Sequence, residues 1–188
     1  MNIGIPAETR ANETRVAATP ETVRKYVTQG HRVTIQSCAG TGASFPDDAF
    51  AAAGAEIVDA ATAFGADLVL KVQSPTDAEL PLLKRGAVLI GMLEPFNADN
   101  AAQLAAAGVT AFALEAAPRT TRAQSLDVLS SQANIAGYKA VLLAATLYSR
   151  FMPMLMTAAG TVKAARVLIL ARVWRACRRS RPRSASAR

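Results

Sequence analysis

Short, continuous apolar runs recur along this chain, and stretches with the character of helices separate them. The clearest runs lie over 2–5, 67–72, 87–93 and 109–114, and each has the length of a strand. Strands without strict polar alternation are buried on both faces, as in a parallel sheet that helices cover. The chain is therefore predicted to be an α/β protein with a mostly parallel sheet covered by helices.

Residues typical of helix ends punctuate the stretches between these runs. Thr19, Pro20 and Gly30 have the character of an N-cap, a first helical residue and a stop, and Asn97 is a candidate cap for another helix. Further strands and helices with fewer end signals are predicted at 31–36, 45–53, 56–58, 76–83 and from about 122 to 148.

Domain boundaries are predicted where this rhythm changes. Residues 1–150 are expected to form the α/β domain, which ends in a long helix. Residues 151–170 are expected to be a linker and the first strand, "RVLIL", of a second domain. Residues 171–188 form an arginine-rich tail that is expected to be disordered.

The basic charge of the chain is concentrated near its end. Of its 21 Lys and Arg residues, 12 lie in 1–162 together with all 14 Asp and Glu, and the other nine lie in 163–188. A dedicated nucleic-acid-binding protein usually carries basic groups on its folded surface. The pattern therefore argues against a specific nucleic-acid partner, although an α/β module with a nucleic-acid-binding tail stays open as an alternative.

The cysteines and the single histidine indicate neither a metal site nor a catalytic triad. Cys38 and Cys177 have no metal-ligand spacing, and His31 has no acidic neighbour in sequence. No metal is therefore expected, and a reduced, cytoplasmic chain is the expectation.

Two basic residues stand where α/β proteins place ligand-binding groups, outside the carboxyl ends of parallel strands. Arg15 lies in the segment that follows the first strand, and Lys71 ends the run "DLVLK". We regard them as a candidate anion site. The alternative is that both are solvated charges whose aliphatic stems pack on apolar surface.

The densest polar chemistry lies over 118–138, where Arg119, Gln124, Asp127 and Ser130 supply a cation, an amide, an acid and a hydroxyl. The last three are spaced i, i+3, i+6 and would share one side of a helix that had already begun. Such a set suits a carboxamide and a ribose. Helix capping by Asp127 and Ser130 is the alternative.

The stretches "IGIPAETRANETRVAATPETV", "DLVLKVQSP" and "PRTTRAQSLDVLSSQANIAGYKAV" together resemble the NAD-binding alpha subunit of proton-translocating NAD(P) transhydrogenase. The resemblance covers residues 1 to about 170, and alanine dehydrogenase shares the architecture. It implies a Rossmann-like or flavodoxin-like N-terminal domain. It also implies that Arg119, Gln124 and Asp127 bind the nicotinamide end of NAD(H), with Ser130 and Tyr138 lining the same site and no catalytic residue assigned.

The resemblance also implies partners. NAD(H) held here would pass hydride to NADP(H) on a separate component, coupled to proton movement through a membrane component. The chain would then be cytoplasmic, peripheral to the inner membrane, and homodimeric in the intact family. In alanine dehydrogenase, positions matching Arg15 and Lys71 bind the substrate carboxylate. The histidine which that enzyme needs after the 87–93 strand is absent, since "LEPFN" stands there.

A glycine-rich dinucleotide turn follows the strand matching "RVLIL" in this family, whereas "ARVWRACRRS" follows it here. Bulky side chains would occupy the space that the pyrophosphate needs. One of many GC-rich back-translations of residues 171–188 reads GAGVAG when shifted by one base. We therefore expect a frameshift, or a sequencing error like one, a truncated second domain and weakened NAD(H) binding.

Sequencing the coding DNA around codon 170 tests the frameshift. The next reading frame is expected to encode GAGVAG, and a frame without that motif would refute the hypothesis.

Overall fold

The computed structural model describes residues 1–118 and 120–170. These residues fall into two compact units, Met1–Ala133 and a unit that begins at Asn134. The expectations for residues 171–188 lie outside the described residues, and the domain boundaries at 150 and 170 stay predictions. Of the helices among the described residues, none has the length and apolarity that a membrane span needs.

The first unit is built on one six-stranded sheet in which every neighbouring pair of strands is parallel. Its strands are β1 (Asn2–Ile5), β2 (Arg32–Gln36), β3 (Glu56–Val58), β4 (Leu68–Gln73), β5 (Val88–Met92) and β6 (Thr110–Ala113). They lie in the order β3-β2-β1-β4-β5-β6. The α/β fold class with a parallel sheet is confirmed.

Four helices lie between strands of the sheet, and a fifth, longer helix follows the last strand. They are α1 (Pro20–Thr28), α2 (Asp47–Ala52), α3 (Ala60–Phe64), α4 (Ala98–Ala107) and α5 (Val128–Leu147). Thr19 accepts a hydrogen bond from the backbone N–H of Thr22 at the start of α1. Asn97 accepts from the backbone N–H of Asp99 at the start of α4. Both predicted N-caps are therefore confirmed.

The helix predicted over 76–83 is wrong in extent, because only a 3-10 turn forms there, at Leu80–Leu82. Pro81 lies inside the turn and has no N–H to donate to a helical hydrogen bond. The carboxylate of Glu79 instead accepts the backbone N–H of Thr76 at 2.8 Å, which closes the loop without a helix.

The long helix begins later than predicted, and the strand after it does not form. Residues Thr121–Leu126 are 3-10, and Asp127 has a ψ of 76°, which is not helical. The linker contains an antiparallel hairpin, β7 (Leu155–Thr157) with β8 (Gly160–Val162). Residues 166–170 have no strand partner among the described residues, and a strand exists only when a neighbour accepts and donates its backbone hydrogen bonds.

The sheet changes direction between its two central strands. From β1 the chain moves outward to β2 and β3, and it then returns to β4 and moves outward the other way to β5 and β6. Connections that follow β1 and β4 therefore diverge and leave a crevice at the carboxyl ends of these strands. Ligands of open α/β sheets bind at such a switch point. Arg15 follows one of these strands and Lys71 lies in the other.

Helix α3 packs so closely on β1 that Gly4 is required there. A Cβ atom at Gly4 would overlap the carbonyl oxygen of Ala63, which belongs to the helix backbone and has no freedom to rotate away. Gly4→Ala is therefore expected to lower the free energy of unfolding by about 1–3 kcal/mol, the usual cost of overpacking. Chemical denaturation followed by circular dichroism measures the change.

Gly137→Ala is the matched control for this substitution. Nothing lies within 4 Å of a Cβ atom at this position in α5. Because alanine favours a helix interior over glycine by about 1 kcal/mol, the control is expected to be neutral or stabilising. A Gly4→Ala chain as stable as the original would contradict the close packing of β1 on α3.

Candidate functional site

The loop after β1 is fastened to the end of β4 by the carboxylate of Glu8. This carboxylate accepts the backbone N–H of Val72 at 2.6 Å and that of Gln73 at 3.3 Å. Glu8 thus connects β1 and β4, the strands that border the switch point, beyond the last residues that pair in the sheet. The register of β4 against β5 shifts between Leu70 and Gln73, so these N–H groups are turned away from a regular ladder.

Lys71 is buried inside this junction and is not a solvated charge. Its side chain is 1% exposed, and its Nζ lies 3.1 Å from Glu79 and 3.6 Å from Glu8. Nζ also lies 5.4 Å from the ring centroid of Phe64. A buried ammonium is tolerated only when nearby charges and hydrogen bonds compensate for lost hydration. Two carboxylates perform that role here.

The pKa of Glu79 reflects competing influences. Burial raises the pKa of this carboxyl, but the hydrogen bond from the Thr76 backbone and the charge of Lys71 outweigh burial. The hydroxyl of Thr9 donates a further hydrogen bond at 2.9 Å. The net pKa lies below the ordinary value, so Glu79 stays ionised opposite Lys71.

Arg15 is held by a carboxylate two residues before it. Its Nε and Nη2 donate to the two oxygens of Glu13 at 2.8 and 2.6 Å, and its backbone N–H donates to the same side chain at 3.0 Å. Gln73, at the end of β4, donates to Glu13 at 2.9 Å. The guanidinium therefore has a fixed orientation at the switch point.

The hydrogen bond from Arg15 lowers the pKa of Glu13 from 4.5 to about 2, although burial acts in the opposite direction. The same contact raises the pKa of Arg15 above its ordinary value. The charge of Glu8 acts on Arg15 in the same direction. Glu8 therefore influences both cations of the candidate anion site, whose role in ligand binding stays a prediction.

Asp127, just before α5, and Ser130, in the first turn of that helix, are in direct contact. Asp127 accepts the backbone N–H of Ser130 at 2.9 Å and its hydroxyl at 2.5 Å, which is the geometry of an N-cap. Gln124 lies in the 3-10 turn, so the helix has not begun there and the condition for a shared helical side is not met. The side chain of Gln124 is exposed and makes no hydrogen bond to a described residue.

The structure does not test the other two candidate residues of the nicotinamide site. Arg119 lies outside the described residues. Tyr138 belongs to the second unit, where its side chain is 70% exposed. The assignment of Arg119, Gln124, Asp127, Ser130 and Tyr138 to one cofactor site therefore stays a prediction.

Glu94 belongs to "LEPFN", the segment after β5 where alanine dehydrogenase is expected to need a histidine. Its φ of +51° is uncommon for a residue other than glycine. Arg10 donates to the carboxylate of Glu94 at 3.1 Å. The backbone N–H of Glu94 donates to the carboxylate of Glu115 at 2.6 Å. An ion-paired carboxylate at this point is chemically unlike a neutral imidazole.

Sequence reasoning missed the acidic and amide partners of the two cations. Glu13, Glu79 and Glu8 each contact Arg15 or Lys71, and Gln132 accepts from Arg15 Nη1 at 3.1 Å. The spacing of Glu13, two residues before Arg15, was the available signal for a local pair. No local signal connects Arg15 with Gln132, which is 117 positions away.

These features define a class of protein: a doubly wound, Rossmann-like α/β domain with charged groups at its switch point. The matching family model covers residues 4–136 and is described as "Alanine dehydrogenase/PNT, N-terminal domain". The chain belongs to this family, which unites transhydrogenase and alanine dehydrogenase relatives.

Individual relatives agree with this assignment. The first portion of the NAD(P) transhydrogenase alpha subunit of Rhodospirillum rubrum is 49% identical over 177 residues, which cover 90% of this chain and 46% of that protein. The crystal structure of transhydrogenase from Sinorhizobium meliloti matches with a TM-score of 0.84 and 47% identity, over 88% of this chain and 50% of that one. Alanine dehydrogenase of Bacillus subtilis is 37% identical over 73% of this chain and 36% of that protein.

The resemblance to transhydrogenase and alanine dehydrogenase is thus confirmed. The chain spans about half the length of the Rhodospirillum relative, or 46%.

The depressed pKa of Glu13 predicts a loss of stability in acid. Its folded pKa of about 2 lies below the ordinary 4.5, so the ionised carboxylate stabilises the fold above pH 4.5. That contribution disappears as the pH falls from 4.5 towards 2, when the folded state must also take up the proton. Glu13→Gln is expected to flatten the decline of unfolding free energy over this interval.

Urea denaturation at several pH values between 2 and 6 measures this slope. Asp48→Asn, which changes an exposed acidic residue at the start of α2, provides the control. An unchanged acid slope in Glu13→Gln would contradict the assignment.

Proposed function

We propose that this chain is the NAD(H)-binding component of a proton-translocating transhydrogenase, in which it holds the nicotinamide end of the cofactor. Membership of the family supports this proposal, together with relatives that are transhydrogenase alpha subunits. The observation that carries it is the polar segment at the start of α5, where Asp127 and Ser130 are paired and Gln124, three residues before Asp127, is exposed.

The donor and acceptor groups in this segment fit a nicotinamide. A carboxamide presents one acceptor and two donors, and the amide of Gln124 offers the complementary pair. The carboxylate of Asp127 is an acceptor, and its contact with the Ser130 hydroxyl fixes where its oxygens lie. When bound, NAD(H) supplies the hydride chemistry, and the residues of this chain bind and orient it.

The proposal includes partner components. NADP(H) would bind a separate component, and a membrane component would couple hydride transfer to proton translocation. The Rhodospirillum relative is named as one portion of an alpha subunit, which supports a multi-subunit assembly. We place this chain on the cytoplasmic side of the inner membrane, attached through its partners, and propose a homodimer as the assembly unit. No specific nucleic-acid partner is proposed, because residues 1–162 carry more acidic than basic groups.

We further propose that this chain alone binds NAD(H) weakly. Arg172, Trp174 and Arg175 follow the apolar residues 167–170, and no glycine occurs between 161 and 188. A pyrophosphate is bound by bare backbone at a glycine-rich turn. Loss of those contacts reduces affinity about tenfold for each 1.4 kcal/mol.

The proposal is tested by adding the two halves of NAD, nicotinamide mononucleotide and AMP, separately. Nicotinamide mononucleotide is expected to perturb the NMR signals of residues 121–131, whereas AMP leaves them unchanged, because the proposed site holds the nicotinamide end. Gln124→Ala and Asp127→Asn are expected to weaken nicotinamide mononucleotide binding. Gln29→Ala, at the exposed end of α1, serves as the control.

Two results would overturn these proposals separately. Equal perturbation by AMP, or none by nicotinamide mononucleotide, would remove the assignment of the nicotinamide site. Micromolar affinity for NADH in calorimetry would refute the weak binding of the whole cofactor.

A further inference from the structure

We propose that Arg15 is a positioning residue for the proposed nicotinamide-binding segment, and that it acts through Gln132. This inference rests on the proposed function only for what the segment binds. It assigns Arg15 a role inside the protein, as the connection between the switch point of the sheet and the start of α5.

The guanidinium of Arg15 uses separate edges for two partners. Its Nε and Nη2 face Glu13, and its Nη1 donates to the side-chain oxygen of Gln132 at 3.1 Å. Because guanidinium is planar, fixing one edge also fixes the direction in which Nη1 points. Glu13 is itself held by Gln73 at the end of β4. The end of β4 therefore fixes Glu13, Glu13 fixes Arg15, and Arg15 fixes the direction of its hydrogen bond to Gln132.

Gln132 lies in the helical turn next to Asp127 and Ser130. Its exposed hydrogen bond with Arg15 therefore attaches α5 to the loop after β1 close to the turn on which Ser130 lies. The capping hydrogen bonds of Asp127 then connect that turn to the residue just before the helix.

The hydrogen bond from Arg15 is a polar attachment of residues 120–133 to the sheet. Most side chains over 120–126 are exposed, whereas those over 127–130 are half-buried, so apolar packing restrains mainly the start of α5. Loss of this contact is expected to loosen the segment while leaving the sheet intact.

Gln132→Met is the principal test, since it keeps the size of the side chain but removes the acceptor. Hydrogen exchange of amides 121–131 in the full, ligand-free chain is expected to become several-fold faster. The affinity for nicotinamide mononucleotide is expected to fall about three- to tenfold, which corresponds to the loss of one ordinary, exposed hydrogen bond that holds the segment in place. Gln132→Glu retains an acceptor for Arg15 and is expected to preserve slow exchange.

A double-mutant cycle assigns the effect to Arg15. A lysine at position 15 keeps a positive charge opposite Glu13. It lacks the planar guanidinium that donates to Glu13 and Gln132 at the same time. Gln132→Met is therefore expected to add little to Arg15→Lys, whereas independent effects would add. Arg32→Gln removes another Arg–Glu pair, with Glu56 on β3, and is expected to leave exchange over 121–131 unchanged.

The outcomes separate this inference from the proposed function. Faster exchange in Gln132→Met, normal exchange in Gln132→Glu and non-additivity with Arg15→Lys support the positioning role. Exchange unaffected by Gln132→Met, or fully additive effects, would overturn it. If the exchange results hold but the unmutated chain fails to bind nicotinamide mononucleotide, the positioning role stands and the proposed ligand is wrong.

Discussion

The buried ammonium of Lys71 is the interaction on which the functional end of this domain depends. It lies between the carboxylates of Glu8 and Glu79, and these belong to the loop after β1 and to the turn after β4. Since a buried charge without partners is strongly destabilising, the two connections must stay together at the point where the strands diverge. The need to compensate the buried charge of Lys71 therefore sets the geometry of the crevice.

From this buried cluster, polar contacts continue outward to the surface. Glu8 binds the backbone of β4, Gln73 at the end of that strand binds Glu13, and Glu13 orients Arg15. Exposure increases along the way, from 1% for the Lys71 side chain to 38% for that of Arg15. The inner contacts supply rigidity, while Arg15, the outermost group, contacts the segment for which cofactor binding is proposed.

Much of the fold was predictable because its strands are short apolar runs and its helices begin at recognisable caps, as at Thr19 and Asn97. The errors arose where one residue overrode the local pattern: Pro81 reduced a helix to a turn, and Asp127 delayed the start of α5. The positions of Arg15 and Lys71 at the sheet edge followed from parallel topology. Their partners Glu8 and Gln132 did not, since pairing between distant segments depends on tertiary packing.

The carboxylate of Asp127 caps a helix and also belongs to the proposed ligand site. It completes the backbone hydrogen bonding at the start of α5 through Ser130, and it belongs to the segment for which cofactor recognition is proposed. Asparagine, serine or threonine would satisfy a helix, yet each would alter the charge or reach available to a ligand. If the proposed recognition holds, natural variation at this position should be narrower than at ordinary helix starts, because folding and ligand binding would then select for the same two oxygen atoms.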